Sequence, residues 1–230
     1  MKHSDTNKFR PPAPSLGSRR PPLRSAGSAR AAIVDPRANR VLYAESFLET
    51  KMTLVFLMRP DVLEVVEQQP VVSYVDGNGN KRTHTFDLLV TFVDGHKVAY
   101  TIKPLAKALK YALHSELNCI AQHVPKSVAD AVALLTENSI TPWQFSNAVL
   151  LHSAARDLHR YADTDAIVRA TITKPQQTIG DIVQHTGLQG RAFRAVLRLI
   201  VRGELKVITQ GLLTYATIVA PATLNTEDAR

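Results

Sequence analysis

The sequence predicts an α/β domain, a mixed sheet flanked by helices, followed by an α-rich domain that ends in two helices and a β-hairpin. Three observations carry that prediction. Strand-like segments between residues 71 and 103 are separated by Asp76-Gly77-Asn78-Gly79-Asn80 and by Asp94-Gly95, which supply the positive-φ residues of tight reversals. Apolar side chains at helical spacing stand before and after these strands. Near the carboxy terminus helical periodicity appears twice more and gives way to two strand-like runs.

Residues 1–40 are rich in Pro, Ser, Gly and Arg and poor in large apolar side chains, so they cannot bury enough surface to offset the entropy of ordering. A disordered basic tail is expected there. Glu45–Met58 carries Phe47, Leu48, Met52, Val55 and Phe56 at helical spacing, with Pro60 as a stop. Strands are expected at Val71–Val75, Arg82–Val93 and His96–Lys103, forming an antiparallel meander. Pro104 ends the third strand and starts a helix through Leu105, Leu109, Ala112, Leu113 and Leu117, with Lys107 and Lys110 pointing elsewhere. A helix over Ser127–Glu137, a short closing strand over Thr141–Ser146 and a longer helix over Asn147–Tyr161 follow. The first domain is thus expected over residues 41–147 and the second over 148–220, with 221–230 as a second tail. In the second domain Thr178 caps a helix carrying Ile179, Ile182 and Val183, Gly187 makes the turn, and Gln189–Arg202 forms the next helix. Glu204–Thr209 and Leu212–Val219, joined through Gln210-Gly211, complete a winged helix.

The 230 residues, 45% of them hydrophobic, suffice for two modest domains and a tail. The formal charge of +8 is uneven: nine basic residues up to Arg40 face only Asp5 and Asp35, so the tail holds seven of the eight surplus charges. Such a tail acts either as a solubilising leader or as a salt-sensitive grip on phosphates. The single cysteine, Cys119, excludes an internal disulfide and a cysteine-built zinc site and fits a reducing, cytoplasmic compartment. No apolar run reaches the ~18 residues of a membrane span, so no membrane partner is expected. Pro11, Pro12, Pro14, Pro21 and Pro22 would break the amphipathic helix of a transit peptide.

Period-two geometry puts Thr101 and Lys103 on one face of a strand, with Ile102 turned to the core and Asp87 on the neighbouring strand. A metal nuclease needs such a group. Carboxylate oxygens hold Mg²⁺ against a phosphate, and a lysine helps orient the attacking water and offsets developing negative charge. Taken alone, the pattern also describes a solvated carboxylate and an edge lysine that blunts the sheet.

A longer match adds to this. Glu45-Ser46-Phe47-Leu48-Glu49, Arg59-Pro60-Asp61-Val62, Glu67-Gln68-Gln69-Pro70, His84-Thr85-Phe86-Asp87-Leu88-Leu89-Val90, Asp94-Gly95 and Thr101-Ile102-Lys103-Pro104 resemble, in order, the motifs of the TnsA-type heteromeric transposase endonucleases. The resemblance covers about Glu45 to Pro104, and the two helices and wing at Thr178–Val219 resemble the family's carboxy-terminal half. It implies a restriction-endonuclease-like, PD-(D/E)xK core that cuts DNA with Mg²⁺ or Mn²⁺. By the same resemblance Glu49 takes the place of the helix carboxylate, Asp87 that of the strand aspartate and Lys103 that of the catalytic lysine. Thr101 stands where the family has Glu or Gln, and Phe86 where it has Pro. A threonine hydroxyl is a poorer ligand for a hard cation than a carboxylate. Glu45, one turn before Glu49, is either a substitute ligand or an acid answering the helix dipole. The implied partners are transposon-end DNA, a DDE-type transposase subunit and an AAA+ ATPase regulator, in the bacterial cytoplasm at the nucleoid.

The helix Gln189–Arg202 presents Phe193, Val196, Leu197 and Ile200 to a core and leaves Arg191, Arg194, Arg198 and Arg202 on the other side. In a helix-turn-helix, Gln189, Arg191 and Arg194 would reach base edges, and Arg198 and Arg202 the phosphates. Three functions therefore stay open: an active endonuclease, a DNA-binding architectural subunit without chemistry, and a winged-helix transcription regulator.

Overall fold

The computed structural model describes residues 10–18, 29–157 and 162–222. Order begins well before Val41, contrary to the composition of the expected tail. Ala31–Asp35 (β1) and Arg40–Ala44 (β2) pair antiparallel, because Ile33, Leu42 and Ala44 alternate inward into the main core. The Arg37 guanidinium ties the connecting turn to the carbonyls of Val62 and Leu57. Residues 10–18 lie along this hairpin, with Ala13 N–H donating to Asn39 O at 2.7 Å and Val41 N–H to Ala13 O at 2.9 Å. The Ser15 hydroxyl donates to the buried Glu67 carboxylate. Lys2, Lys8, Arg19, Arg20 and Arg24 of the expected tail lie outside the described residues, as do residues 223–230 at the other end.

Ser46 caps α1 (Phe47–Leu57) by accepting the Glu49 N–H at 3.2 Å, and the helix buries Met52, Leu54, Phe56 and Leu57. Val62–Glu67 (β3) is a strand where none was expected. The expected meander also resolves differently, since Val71–Val75 (β4) pairs only with Lys81–Thr85 (β5), as a separate two-stranded hairpin. The expected strand over 82–93 breaks at Phe86-Asp87, and Leu88–Phe92 (β6) belongs to the main sheet. That sheet has the order β3-β6-β7-β8, with β7 at Lys97–Ile102 and β8 at Ala131–Leu135. The first three strands run antiparallel and β8 runs parallel to β7, so the sheet is mixed.

Between β7 and β8 the expected single helix is two, α2 (Leu105–Lys110) and α3 (Leu113–Ala121), broken at Ala112 with φ 48°. Residues 131–135, expected within a helix, form β8. Ala-Val-Ala-Leu-Leu is a short apolar run whose periodicity fits either state, and pairing with β7 decides it. The expected strand at Thr141–Ser146 is instead the start of α4 (Pro142–Ala155), with Thr141 and Gln144 in a capping box and Pro142 at the first position. The expected helix to Tyr161 thus ends at Ala155, and residues 158–161 lie outside the described ones.

A helix absent from the expectation, α5 (Ala162–Thr171), precedes a short strand β9 (Gln177–Thr178), α6 (Ile179–Thr186) and α7 (Gly190–Val201). Gly187, at φ 64°, turns the chain between α6 and α7. Leu205–Val207 (β10) and Ile218–Pro221 (β11) follow, and β11 lies between β10 and β9. The two strands are shorter than expected and are joined by residues 208–217 rather than by a tight turn at Gln210-Gly211.

One face of the main sheet packs on α1 and α4 through Val62, Val65, Leu88, Val90 and Ile102, and the other packs on α3 and β4 through Ala99, Leu117 and Ile120. Leu197 of α7 and Leu213 join the same core as Leu42 and Met52. A boundary at 147/148 is therefore not seen, because it would cut α4 in half and divide a shared core. Among the described residues no helix is long and apolar enough to cross a membrane.

Candidate active site

Asp87 stands where β5 ends and β6 begins, and its main chain bridges two strands. Its N–H donates to Tyr100 O of β7 and its carbonyl accepts from Gln68 N–H next to β3, both at 2.9 Å. Phe86, fully buried, fills the core at the position before it. The strand break turns the Asp87 carboxylate toward the end of β7, where Oδ2 accepts the Ile102 N–H at 2.6 Å and the Lys103 ammonium at 3.1 Å. Lys103 is itself anchored by its N–H to Leu135 O of β8 at 3.0 Å.

Glu49 reaches the same place from the first turn of α1. Its carboxylate accepts the Glu45 N–H and the Ser46 hydroxyl, each at 2.8 Å, and is 6% exposed. Burial, and then the negative charge of Asp87, push the Glu49 carboxyl above its ordinary value, against the pull of those hydrogen bonds and of Lys103. Glu49, Asp87 and Lys103 thus form one electrostatic group. Glu45 contributes its backbone N–H to it.

Thr101 is brought beside this group but is only 2% exposed, and its hydroxyl is 2.8 Å from His84 Nε2. His84, on β5, stacks edge-on against Phe86 at 4.7 Å between centroids. Burial holds its imidazole below the ordinary histidine value, opposed by the charges of Asp87 and Glu116. Sequence reasoning missed His84 as a neighbour of the site. Its pairing partner in the hairpin is Val72, and nothing in its spacing from Thr101 announces the contact.

Among the described residues, no three His, Cys, Asp or Glu side chains converge where a metal ion could sit. A divalent ion here would rest on two carboxylates, with water completing the shell. Asp87 Oδ1, which has no hydrogen-bond partner among the described residues, and the Glu49 carboxylate are the hard oxygen donors that would hold such an ion, and both residues are buried.

The arginines of α7 are placed otherwise than expected. From Ala192 to Val201 the helix has no exposed residue, being enclosed by α4, α5 and α6. Arg198 is 6% exposed and donates through Nε to Asp165 Oδ1 at 3.0 Å, and Arg202 reaches the same carboxylate at 2.9 Å. Arg194 donates to Asp157 Oδ2 and to Ser153 O, both at 3.2 Å. Arg198, expected on phosphates, is buried in an ion pair, and Arg202, half exposed, reaches the same acid from the rim, for the missed helix α5 supplies that acid. Gln189 and Arg191 at the helix start remain exposed, with Arg191 Nη2 3.4 Å from Thr164 Oγ1. No protein-family model and no curated protein matches this chain.

Proposed function

We propose that the chain is a TnsA-type DNA endonuclease subunit, with a restriction-endonuclease-like core and a carboxy-terminal unit of winged-helix type. The observation that carries this reading is the meeting at 3.1 Å of Asp87, just before β6, and Lys103, just after β7, with Glu49 leaning in from α1. The mixed sheet between helices supports the core, and the succession α5-β9-α6-α7-β10-β11 supports the carboxy-terminal unit. Bound at Asp87 and Glu49, Mg²⁺ or Mn²⁺ would activate water and polarise a phosphodiester. Asp87 holds its carboxylate rigid through the Ile102 N–H. Lys103 places a positive charge where the attacked phosphate gains negative charge. The substrate in this reading is a transposon end, cut on the strand that is not transferred. A DDE-type transposase and an AAA+ ATPase are the proposed partners, at bacterial nucleoid DNA.

The test combines full-length protein, its cognate transposase, transposon-end DNA and Mg²⁺ or Mn²⁺. Metal-dependent strand cleavage that Asp87→Ala abolishes supports the reading. Cleavage unchanged by that substitution overturns it.

A second reading keeps the architecture and drops the chemistry, and the engagement of Thr101 with His84 favours it. Under it, the wild-type protein binds no Mn²⁺ and Thr101→Glu creates affinity. Calorimetry that finds Mn²⁺ already bound by the wild type excludes it. The transcription-regulator reading loses Arg198, which is buried in an ion pair, but keeps Gln189 and Arg191 exposed at the start of α7.

A further inference from the structure

Arg198 is buried against Asp165 and Arg194 is held by Asp157, which leaves less of α7 free for a polyanion and directs attention to other basic surface. Between Asp94 and Glu116 the chain has no acidic residue, and it carries Lys97, Lys103, Lys107 and Lys110. Three of those lysines follow one another from the end of β7 along α2. Helical spacing places Lys107 and Lys110 on neighbouring turns of α2, with Tyr111 at its C-cap, while Lys103 lies between β7 and the N-cap Pro104. The short helix buries only Ala108, and Lys107 and Lys110 are exposed on the side away from it. Neither lysine has an ion-pair partner among the described residues. Leu109 and Tyr111 are 67% and 61% exposed, and the Lys110 ammonium lies 5.4 Å from the Tyr111 ring centre. Three acids border the surface, and all are engaged, Asp87 with the Lys103 ammonium at 3.1 Å. Glu137 accepts the Leu105 N–H at 2.9 Å, and Glu116 accepts the Tyr74 hydroxyl at 2.5 Å.

We propose that this face of α2, formed by Lys107, Lys110 and Tyr111 and continuous with Lys103, is a duplex-DNA surface that grips the phosphates flanking the cleaved one. This rests on the endonuclease reading for the location of the scissile phosphate. The chemistry of the face argues for DNA. Unpaired ammonium groups without intervening carboxylates match a phosphate backbone, and a phenol beside them donates a hydrogen bond to a phosphate oxygen.

The experiment is fluorescence anisotropy of a labelled mixed-sequence duplex, titrated with full-length protein across a salt series in EDTA. The double variant Lys107→Glu/Lys110→Glu should bind at least about tenfold more weakly at low salt and lower the slope of log K against log salt by about 2. Lys107→Arg/Lys110→Arg should keep wild-type affinity, and Lys97→Glu, at the far end of β7, should change little. An unchanged thermal midpoint for the charge-reversed variant shows that folding is intact. Lys107→Gln/Lys110→Gln, with an intermediate loss, provides a second check. Wild-type affinity and slope in both the Glu and Gln variants, or no duplex binding by the wild type, overturns the proposal. Asp87→Ala separates the two claims. Normal duplex binding with the α2 dependence intact, but no cleavage by the wild type, would defeat the endonuclease reading alone. Cleavage lost in Asp87→Ala, together with binding indifferent to Lys107 and Lys110, would defeat the surface alone.

Discussion

Lys103 Nζ and the Ile102 N–H converge on one oxygen of Asp87, at 3.1 and 2.6 Å, while the second carboxylate oxygen is left for a further partner. An amine and an amide fixing one oxygen orient the carboxylate before any ligand arrives, which is the kind of preorganisation a phosphoryl-transfer site uses.

If Asp87 and Glu49 hold a divalent ion as proposed, its affinity should weaken on acidification at a higher pH than two ordinary carboxylates would dictate. The Glu49 carboxyl is held above its usual value by burial and by Asp87, so protons compete for it at higher pH than for a solvated glutamate. The sign for stability follows. With the folded value above the unfolded one, Glu49 makes the metal-free protein less stable as pH rises from the unfolded value through the folded one. A divalent ion held as proposed would reverse this by binding the ionised form. Thermal shift with Mn²⁺ across a pH series should show stabilisation that grows on that same rise, and Asp87→Asn should abolish the shift. Stabilisation independent of pH would mean that the ion binds elsewhere.

Removing the acid beneath α7 should be costly. Asp165 is 2% exposed and takes Arg198 and Arg202, so Asp165→Ala leaves the buried Arg198 guanidinium short of its partner and should cost about 3–5 kcal/mol in urea unfolding. Asp165→Leu/Arg198→Met should cost far less, because both desolvation penalties disappear together. A double variant as damaged as the single one would show that the pair is not the source of the loss.

The two halves of the chain should unfold together. Leu197 is fully buried in the core that also holds Leu42 and Met52, and Leu197→Ala should destabilise by about 2–5 kcal/mol. Hydrogen exchange should then rise in α1 and α4 as well as in α6 and α7. Faster exchange confined to α6 and α7 would indicate two independent units.

The amino-terminal strap should contribute measurably as well. Glu67 is almost fully buried and accepts the Ser15 hydroxyl and the Tyr43 N–H, so Ser15→Ala should cost about 1.5–3 kcal/mol. Chemical denaturation checks this, and a change within error would leave Ser15 with no structural role.

The approach of Lys103 to Asp87 is legible in part because Thr101-Ile102-Lys103 marks a strand end within a few positions, whereas the sequence places Asp87 inside a strand rather than at its break, and Glu49 enters only through the family resemblance. What the sequence left unread is non-local. Whether Ala131–Leu135 is helix or strand depends on β7 being available beside it. Ala31–Asp35 looks like tail until Ile33 finds Leu42 and the shared core. The arginines of α7 look solvent-facing until α5 brings Asp165 against them. His84 meets Thr101 only because the β4-β5 hairpin folds against the main sheet.

The peptide groups on either side of the Asp87 α-carbon join β7 to the chain beside β3, independently of the carboxylate. A replacement that retains the N–H keeps the two main-chain cross-links, and asparagine also keeps an oxygen for the Ile102 N–H while removing the charge, whereas proline would sever the bond to Tyr100. Asp87→Asn is therefore a faithful blank, in which lost activity can be assigned to a missing negative charge and not to a sheet that has come apart.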